Sequence, residues 1–423
     1  MKKNVIVTLN KYKKVLRGEK EGKWHFNKWI NCIKYTRNLF YLYDNIKIIS
    51  MEFHAFGETL PRLYTLMKDI EGKNKREIYV ILPRFSENYE SDIPNKRMMD
   101  LFSDKILFIK EDNIDYWKFI VLHHWNKLDL SEYWSYAERR VGSWEVKIEQ
   151  PGIRFLPEFE KEGINKFSSL EITEPFICIH VRDKGVMKLW NNKTESGIRE
   201  CDISTYYKTC YLLKNMGIAT VKMGKFEEKD KNNDSMIDYA GKMQDDLMDF
   251  YLLSKCKFVL GTDSGLSGCA AFFGRPVLMT NLIHLVSYWE SMPYTEYDLM
   301  ILKKMWSKEK QRYLNLKEMF EMEAKCFMYS SNYKVAGIVI EDNSEDEILE
   351  AALEMNSKLD GTWKILSEEV EYQRRVRTIF EDWKMTHTSY PMRRILRMRG
   401  YTMAPINICY TFLKKNAYLL EEM

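Results

Sequence analysis

KFVLGTDSGLSGCAAFFG, residues 257–274, runs from strand to turn to helix in immediate succession. Lys257-Phe258-Val259-Leu260 is a short apolar run closed by Gly261, the pattern of a buried strand. Thr262-Asp263-Ser264-Gly265 are turn and N-cap residue types. Residues 266–273 then read as a helix of small and apolar residues, Gly274 stops it, and Pro276-Val277-Leu278-Met279 starts the next strand.

The flanks repeat the pattern. Upstream, residues 246–256 (DLMDFYLLSKC) carry apolar residues at helical spacing. Earlier still, residues 176–181 (FICIHV) predict a buried strand, and Asp202 is placed to cap a helix over 203–216 that Gly217 ends. Residues 219–223 (ATVKM) are the next strand, closed by Gly224. Strands and helices alternating with short turns predict a doubly wound parallel sheet. The same alternation appears more faintly at 46–50 (IKIIS), a helical stretch over 60–70, 77–82 (EIYVIL) and 105–109 (KILFI). The fold class is therefore α/β, with two Rossmann-like parallel-sheet domains: 44–160 and 165–375, joined near Pro151-Gly152 and Pro157. Helical periodicity at 345–356, 368–383 and 406–420 predicts a mainly helical C-terminal third.

A chain of 423 residues is long enough for two cores. Hydrophobic residues at 45% and charged residues at 30% exclude a disordered protein. No run approaches the roughly 18–20 apolar residues that span a bilayer, and the first residues lack a secretory signal pattern. The eight cysteines are scattered without CxxC pairs, which predicts free thiols in a reducing compartment, and a cytoplasmic location. Residues 1–43 hold eleven Lys/Arg and two acidic residues, interleaved with Trp24, Trp29, Ile33 and Phe40. Such a basic amphipathic head either lies on an anionic membrane surface, here the inner face, or packs on its own domain. Nothing points to nucleic acid.

Two loops carry the candidate chemistry. The Gly261–Gly265 turn presents backbone N–H groups and the positive end of a helix dipole, with Thr262, Asp263, Ser264, Gly265 and Ser267 at hand; this suits a diphosphate, though an ordinary βα turn has the same composition. His180-Val181-Arg182 follows a strand directly, where ligands of open α/β sheets collect. Arg182 suits bidentate phosphate binding, and His180 is placed to donate to a phosphate oxygen or sugar hydroxyl. Arg199 and Lys225 are lesser candidates that also read as surface charges. Asp246 reads as an N-cap or, like Asp249, as a partner for Arg182 or a ribose hydroxyl.

These residues together resemble a bacterial glycosyltransferase family encoded in surface-polysaccharide gene regions. The resemblance rests on His180-Val181-Arg182-Asp183, Arg199-Glu200-Cys201-Asp202-Ile203, Met223-Gly224-Lys225, Asp238-Tyr239-Ala240, the loop at 254–265, and Tyr410 to Asn416 near the end. The His-x-Arg element is similar to that of O-fucosyltransferases, and Gly-Thr-Asp-Ser-Gly to that of heptosyltransferases. The resemblance implies the GT-B fold, with the donor in the C-terminal domain, a glycan or lipid-linked acceptor in the N-terminal one, and helices over 376–423 crossing back. It implies a hexosyl- or deoxyhexosyltransferase using a GDP- or UDP-linked sugar, with no metal and no other cofactor. The catalytic base is implied near the first strand's loop: Glu58 stands where heptosyltransferases carry Asp, and His54 competes with it. Glu58 also suits a plain helix start. An epimerase of the same fold is disfavoured, because Gly265 is followed by Leu266-Ser267 rather than by carboxylates. A non-catalytic sugar-nucleotide-binding subunit would share the loops without a working base.

Overall fold

The β-branched run at Ile46-Lys47-Ile48-Ile49 does form a strand, and it is the centre of a sheet. The computed structural model describes residues 26–52, 56–71, 75–84, 95, 97–110, 112–129, 152–173, 175–182, 198–224, 234–285, 295–324, 329–386 and 406–421. The chain divides into two units, Met1–Gly142 and Ser143–Met423. That division lies inside the segment assigned from sequence to the first domain.

In the first unit, helix α1 (Phe26–Leu42) leads into β1 (Asn45–Glu52), α2 (Phe56–Glu71), β2 (Glu77–Arg84), β3 (Ile106–Phe108), α3 (Ile114–His123) and β4 (Leu128–Asp129). The strands are parallel in the order β3-β2-β1-β4. Ile46 and Ile48 on one face of β1, and Ile49 and Met51 on the other, are buried, as a sheet covered on two sides requires. The described part of the basic head is α1, and it packs on α3. Cys32, Thr36 and Leu39, spaced at three and four residues, are buried there, and Tyr35 stacks on Tyr116 at 4.7 Å. Much of the apolar face is thus committed to its own unit; residues 1–25 lie outside the described ones. Among the described residues no helix is long and apolar enough to cross a membrane.

The second unit begins with α4 (Pro157–Ser168) and β5 (Phe176–His180). Next come α5 (Tyr207–Asn215), β6 (Ala219–Lys222), α6 (Tyr239–Lys242), α7 (Asp246–Lys255), β7 (Val259–Gly261), α8 (Gly265–Phe272) and β8 (Val277–Leu282). Asp202 caps the turn leading into α5 by accepting the Ser204 N–H at 2.8 Å, and Gly217, at φ +79°, ends that helix. The chain continues through β9 (Leu299–Leu302), β10 (Lys304–Ser307), β11 (Arg312–Tyr313), α9 (Leu316–Ala324), α10 (Ser330–Val335) and β12 (Ile338–Glu341). It closes with α11 (Glu345–Leu359), α12 (Ser367–Thr386), β13 (Asn407–Ile408) and α13 (Tyr410–Lys415). The main sheet is parallel in the order β13-β9-β8-β7-β5-β6. From β5 the chain steps one way to β6, then returns to lay β7 on the other side. Right-handed crossovers in opposite directions place helices on both faces and leave a switch point between β5 and β7.

In the C-terminal third the helices expected over 345–356 and 368–383 form as α11 and α12, but the rest departs from the helical expectation. It adds β9 and β13 to the parallel sheet and builds a small antiparallel one, β11-β10-β12. The helix expected over 406–420 begins as the edge strand β13 and becomes helical only at Tyr410. The cause is Glu354 on α11. Its buried carboxylate accepts the N–H groups of Tyr410 at 3.0 Å and Thr411 at 2.9 Å, so it fixes where α13 starts. The described part of segment 376–423 lies with the second unit.

Candidate functional site

The switch point brings the two predicted loops together. His180 and Gly261 are register partners at the last positions of β5 and β7. The Thr262 N–H donates to the His180 carbonyl at 3.0 Å, and the Arg182 N–H donates to Thr262 Oγ1 at 2.8 Å. The Arg182 carbonyl in turn accepts the Cys201 N–H at 3.2 Å, which draws in the segment carrying Arg199 and Glu200. Thr262 is fully buried, so its hydroxyl joins the two loops from beneath rather than lying open to a ligand as the sequence suggested.

Two glycines set the spacing. A Cβ on Gly261 would lie 2.3 Å from the His180 carbonyl oxygen and 2.7 Å from Ser267 Oγ. Gly224, at φ +98°, lies so close to the His180 ring that a Cβ there would meet Nδ1 at 2.3 Å. Ser264 is the N-cap of α8: its Oγ accepts the Ser267 N–H at 3.2 Å and sits 3.0 Å from Ser267 Oγ. The N–H groups of Gly265 and Leu266, the first two of the helix, have no carbonyl partner within it and point out of its positive end.

Cations gather at this end. Arg182 is half-buried, and burial, followed by the nearby Arg199, lowers its pKa, while Asp263 and Glu200 act against this. Arg199 reaches Asp263 only at 3.5 Å, long for a charge-assisted bond. Two guanidiniums beside a helix N-terminus make a place where an added anion is favoured.

His180 does not take the role expected of it. Its Nδ1 lies 3.0 Å from the Met223 carbonyl oxygen, which can only accept, so the ring proton is spent there and Nε2 is left as an acceptor. It cannot donate to a phosphate oxygen; a hydroxyl donating to Nε2 remains compatible. Burial pushes its pKa down to about 4, with Arg182 adding to the effect against the Met223 bond. Between that value and the ordinary 6.5 the unfolded chain binds more protons than the folded one. Stability from this group is therefore complete above pH 6.5 and is lost as pH falls towards 4, by roughly 3 kcal/mol. Urea unfolding of wild type and His180→Gln across that window should show the steeper fall in wild type. Parallel curves would mean the ring titrates normally.

Of the other predicted residues, Asp246 is the first residue of α7, but the cap is Asp245, which accepts the N–H groups of Leu247 and Met248 at 3.0 and 3.1 Å. Asp249 is buried and bonded to Tyr239 at 3.0 Å, not to Arg182. Glu58 is the third residue of α2, with its side chain outside the description; His54 and Lys225 lie outside the described residues. Among the described residues no cluster of His, Cys, Asp or Glu is arranged to hold a metal.

A buried polar layer under the loops was missed. Thr280 Oγ1 donates to the Gly261 carbonyl at 3.0 Å and lies 2.6 Å from the Tyr206 hydroxyl, to which the Asn281 amide donates at 3.1 Å. Asn281, held at φ +54°, exchanges two 2.7 Å bonds with Asn343. Lys303, buried where β9 passes to β10, donates to the Glu200 carbonyl at 2.9 Å and pairs with Asp342 at 2.6 Å. The Asn at positive φ is the one trace of this layer a sequence could carry.

No family model and no curated protein sequence matches the chain. Solved structures resemble it at 10–16% identity. A glycosyltransferase family 9 protein from Veillonella parvula aligns over 75% of this chain and 98% of its own, with a TM-score of 0.44 and 10% identity. The E. coli ADP-heptose lipopolysaccharide heptosyltransferase II aligns over 56% and 84%, with a TM-score of 0.33 and 12% identity. The Neisseria meningitidis UDP-GlcNAc 2-epimerase, bound to UDP-GlcNAc, aligns over 56% and 82%, with a TM-score of 0.30 and 11% identity. Likenesses this distant leave function to be argued from the site itself.

Proposed function

We propose that the second unit binds a nucleoside-diphosphate sugar at the carboxyl ends of β5 and β7, and that the protein is an inverting glycosyltransferase acting without a divalent metal. The observation that carries this is the meeting of Arg182, Arg199 and the N-terminus of α8 at the switch point. The diphosphate would lie on the Gly265 and Leu266 N–H groups, with Arg182 forked onto its oxygens and Arg199 alongside. When the sugar's anomeric bond breaks, negative charge builds on the departing diphosphate. Donors fixed there before reaction stabilise that charge most where it is greatest. His180 Nε2, as a neutral acceptor, fits a donor hydroxyl. Glu58 or His54 is the proposed base for a glycan or lipid-linked acceptor hydroxyl in surface-polysaccharide synthesis.

Thermal shift against UDP-, GDP-, ADP- and CMP-sugars tests the reading. A cognate donor at 100 times its Kd stabilises the native state by about 2.7 kcal/mol and raises the melting temperature. No shift with any of the four, at millimolar concentration, would overturn it. Sugar transfer or donor hydrolysis should persist in EDTA; loss restored by Mg²⁺ or Mn²⁺ would refute the metal-independent mechanism.

A further inference from the structure

The β13 edge of the same sheet holds a second cleft, of about 550 Å³. Its walls include Leu299 and Asn407, the first residues of β9 and β13, and Lys358 near the end of α11. It therefore opens at the amino ends of the strands, whereas His180 and Gly261 close the carboxyl ends. The volume is in the range of small-molecule sites.

The chemistry of the walls is selective. Tyr297 and Trp363 contribute aromatic surface, with Tyr297 45% exposed; Ile365, 71% exposed, and Val370, 59% exposed, add aliphatic surface. Arg374 is paired with Glu371 and Lys358 with Glu354 and Glu369, while Arg377 gives one N–H to the neutral Asn407 amide oxygen at 3.1 Å. Glu296, Asp298 and Glu369 line the cleft beside Lys358, Arg374 and Arg377, so an anion meets no net positive charge there. Glu369 is buried and also accepts the Trp363 indole N–H at 2.9 Å, so the ring is held in place before any ligand arrives. Gln373 gives its amide N–H to the Ile408 carbonyl at 2.6 Å, which leaves its oxygen as an acceptor. Asn407 gives its oxygen to Arg377, which leaves its NH₂ as a donor.

An acceptor and a donor beside aromatic and aliphatic surface match groups that donate, accept and carry C–H faces. Sugars have all three; a purely apolar ligand would strand the two amides. We propose that this cleft binds a neutral saccharide, at a site separate from that for the nucleotide. The proposal does not depend on the transferase reading. If that reading also holds, the protein can keep a glycan in place while donors exchange at the carboxyl ends of β5 and β7.

The test is a glycan microarray of neutral and acidic oligosaccharides probed with the full-length protein, with hits measured by isothermal titration. Wild type should bind a neutral saccharide. Tyr297→Ala and Asn407→Leu should each weaken it about tenfold or more, the loss of one or more contacts of about 1.4 kcal/mol. Their melting curves and nucleoside-diphosphate affinities should match wild type. Absence of neutral-saccharide binding by wild type overturns the proposal, as does undiminished binding by both variants. Arg182→Ala should retain saccharide binding, so the failure of either site is seen separately.

Discussion

Replacement of Arg182 by alanine is expected to weaken nucleoside-diphosphate binding by about 1.5–3 kcal/mol, the range for hydrogen bonds to charged groups, which is roughly 10- to 150-fold in affinity. The loss should fall on binding and not on folding. Two of the bonds that hold the loops together come from the Arg182 backbone, its N–H to Thr262 and its carbonyl to Cys201, and alanine keeps both. Removing the guanidinium also relieves its burial and its repulsion with Arg199, which offsets part of the lost attraction to Asp263 and Glu200. Arg182→Lys should recover only part of the affinity, because an ammonium cannot fork onto two oxygens. Titration of the free diphosphate into all three proteins decides it. Equal affinities would make Arg182 a structural charge and place the anion elsewhere.

The elements that decided this site were legible because each is local. An apolar run, a glycine, a capping serine and a run of small residues specify strand, turn and helix from KFVLGTDSG onward, and the structure reproduces them within a residue or two. The choice between Asp245 and Asp246 was not legible, since consecutive aspartates cap equally well in principle. Only the backbone angles, extended at Asp245, separate them. The direction of the His180 bond depends on Met223, just past the end of the neighbouring strand and 43 positions along the chain. Lys303, Asn281 and Asn343 belong to a layer assembled from strand ends far apart in sequence, where no periodicity applies. β13 is two residues long and exists because β9 offers an edge. A pattern of that length cannot announce a strand.

Gly261→Ala is expected to be strongly destabilising. Its Cβ would sit 2.3 Å from the His180 carbonyl oxygen. That oxygen cannot swing aside, because it is held by the Thr262 N–H at 3.0 Å within the β5–β7 pairing. The methyl would also press Ser267 Oγ at 2.7 Å, which would disturb the N-cap of α8. Relief requires β7 to move away from β5 where the anion-binding groups converge, at a cost of roughly 2–4 kcal/mol with loss of donor binding. Gly217→Ala is the control. Gly217 ends α5 at φ +79°, far from the β5–β7 crossing, and an added methyl there meets nothing within 4 Å, so only backbone strain of about 1–2 kcal/mol is expected, with donor binding intact. Gly224→Ala combines strain with a contact at the movable His180 ring; it should displace the ring from Met223 and raise its pKa from about 4 towards the ordinary value, visible by NMR titration. Urea unfolding should rank Gly261→Ala below Gly217→Ala in stability. If the two unfold alike and Gly261→Ala still binds nucleoside diphosphate, the tight β5–β7 crossing does not build the site, and the anion-binding role of its loop falls with it.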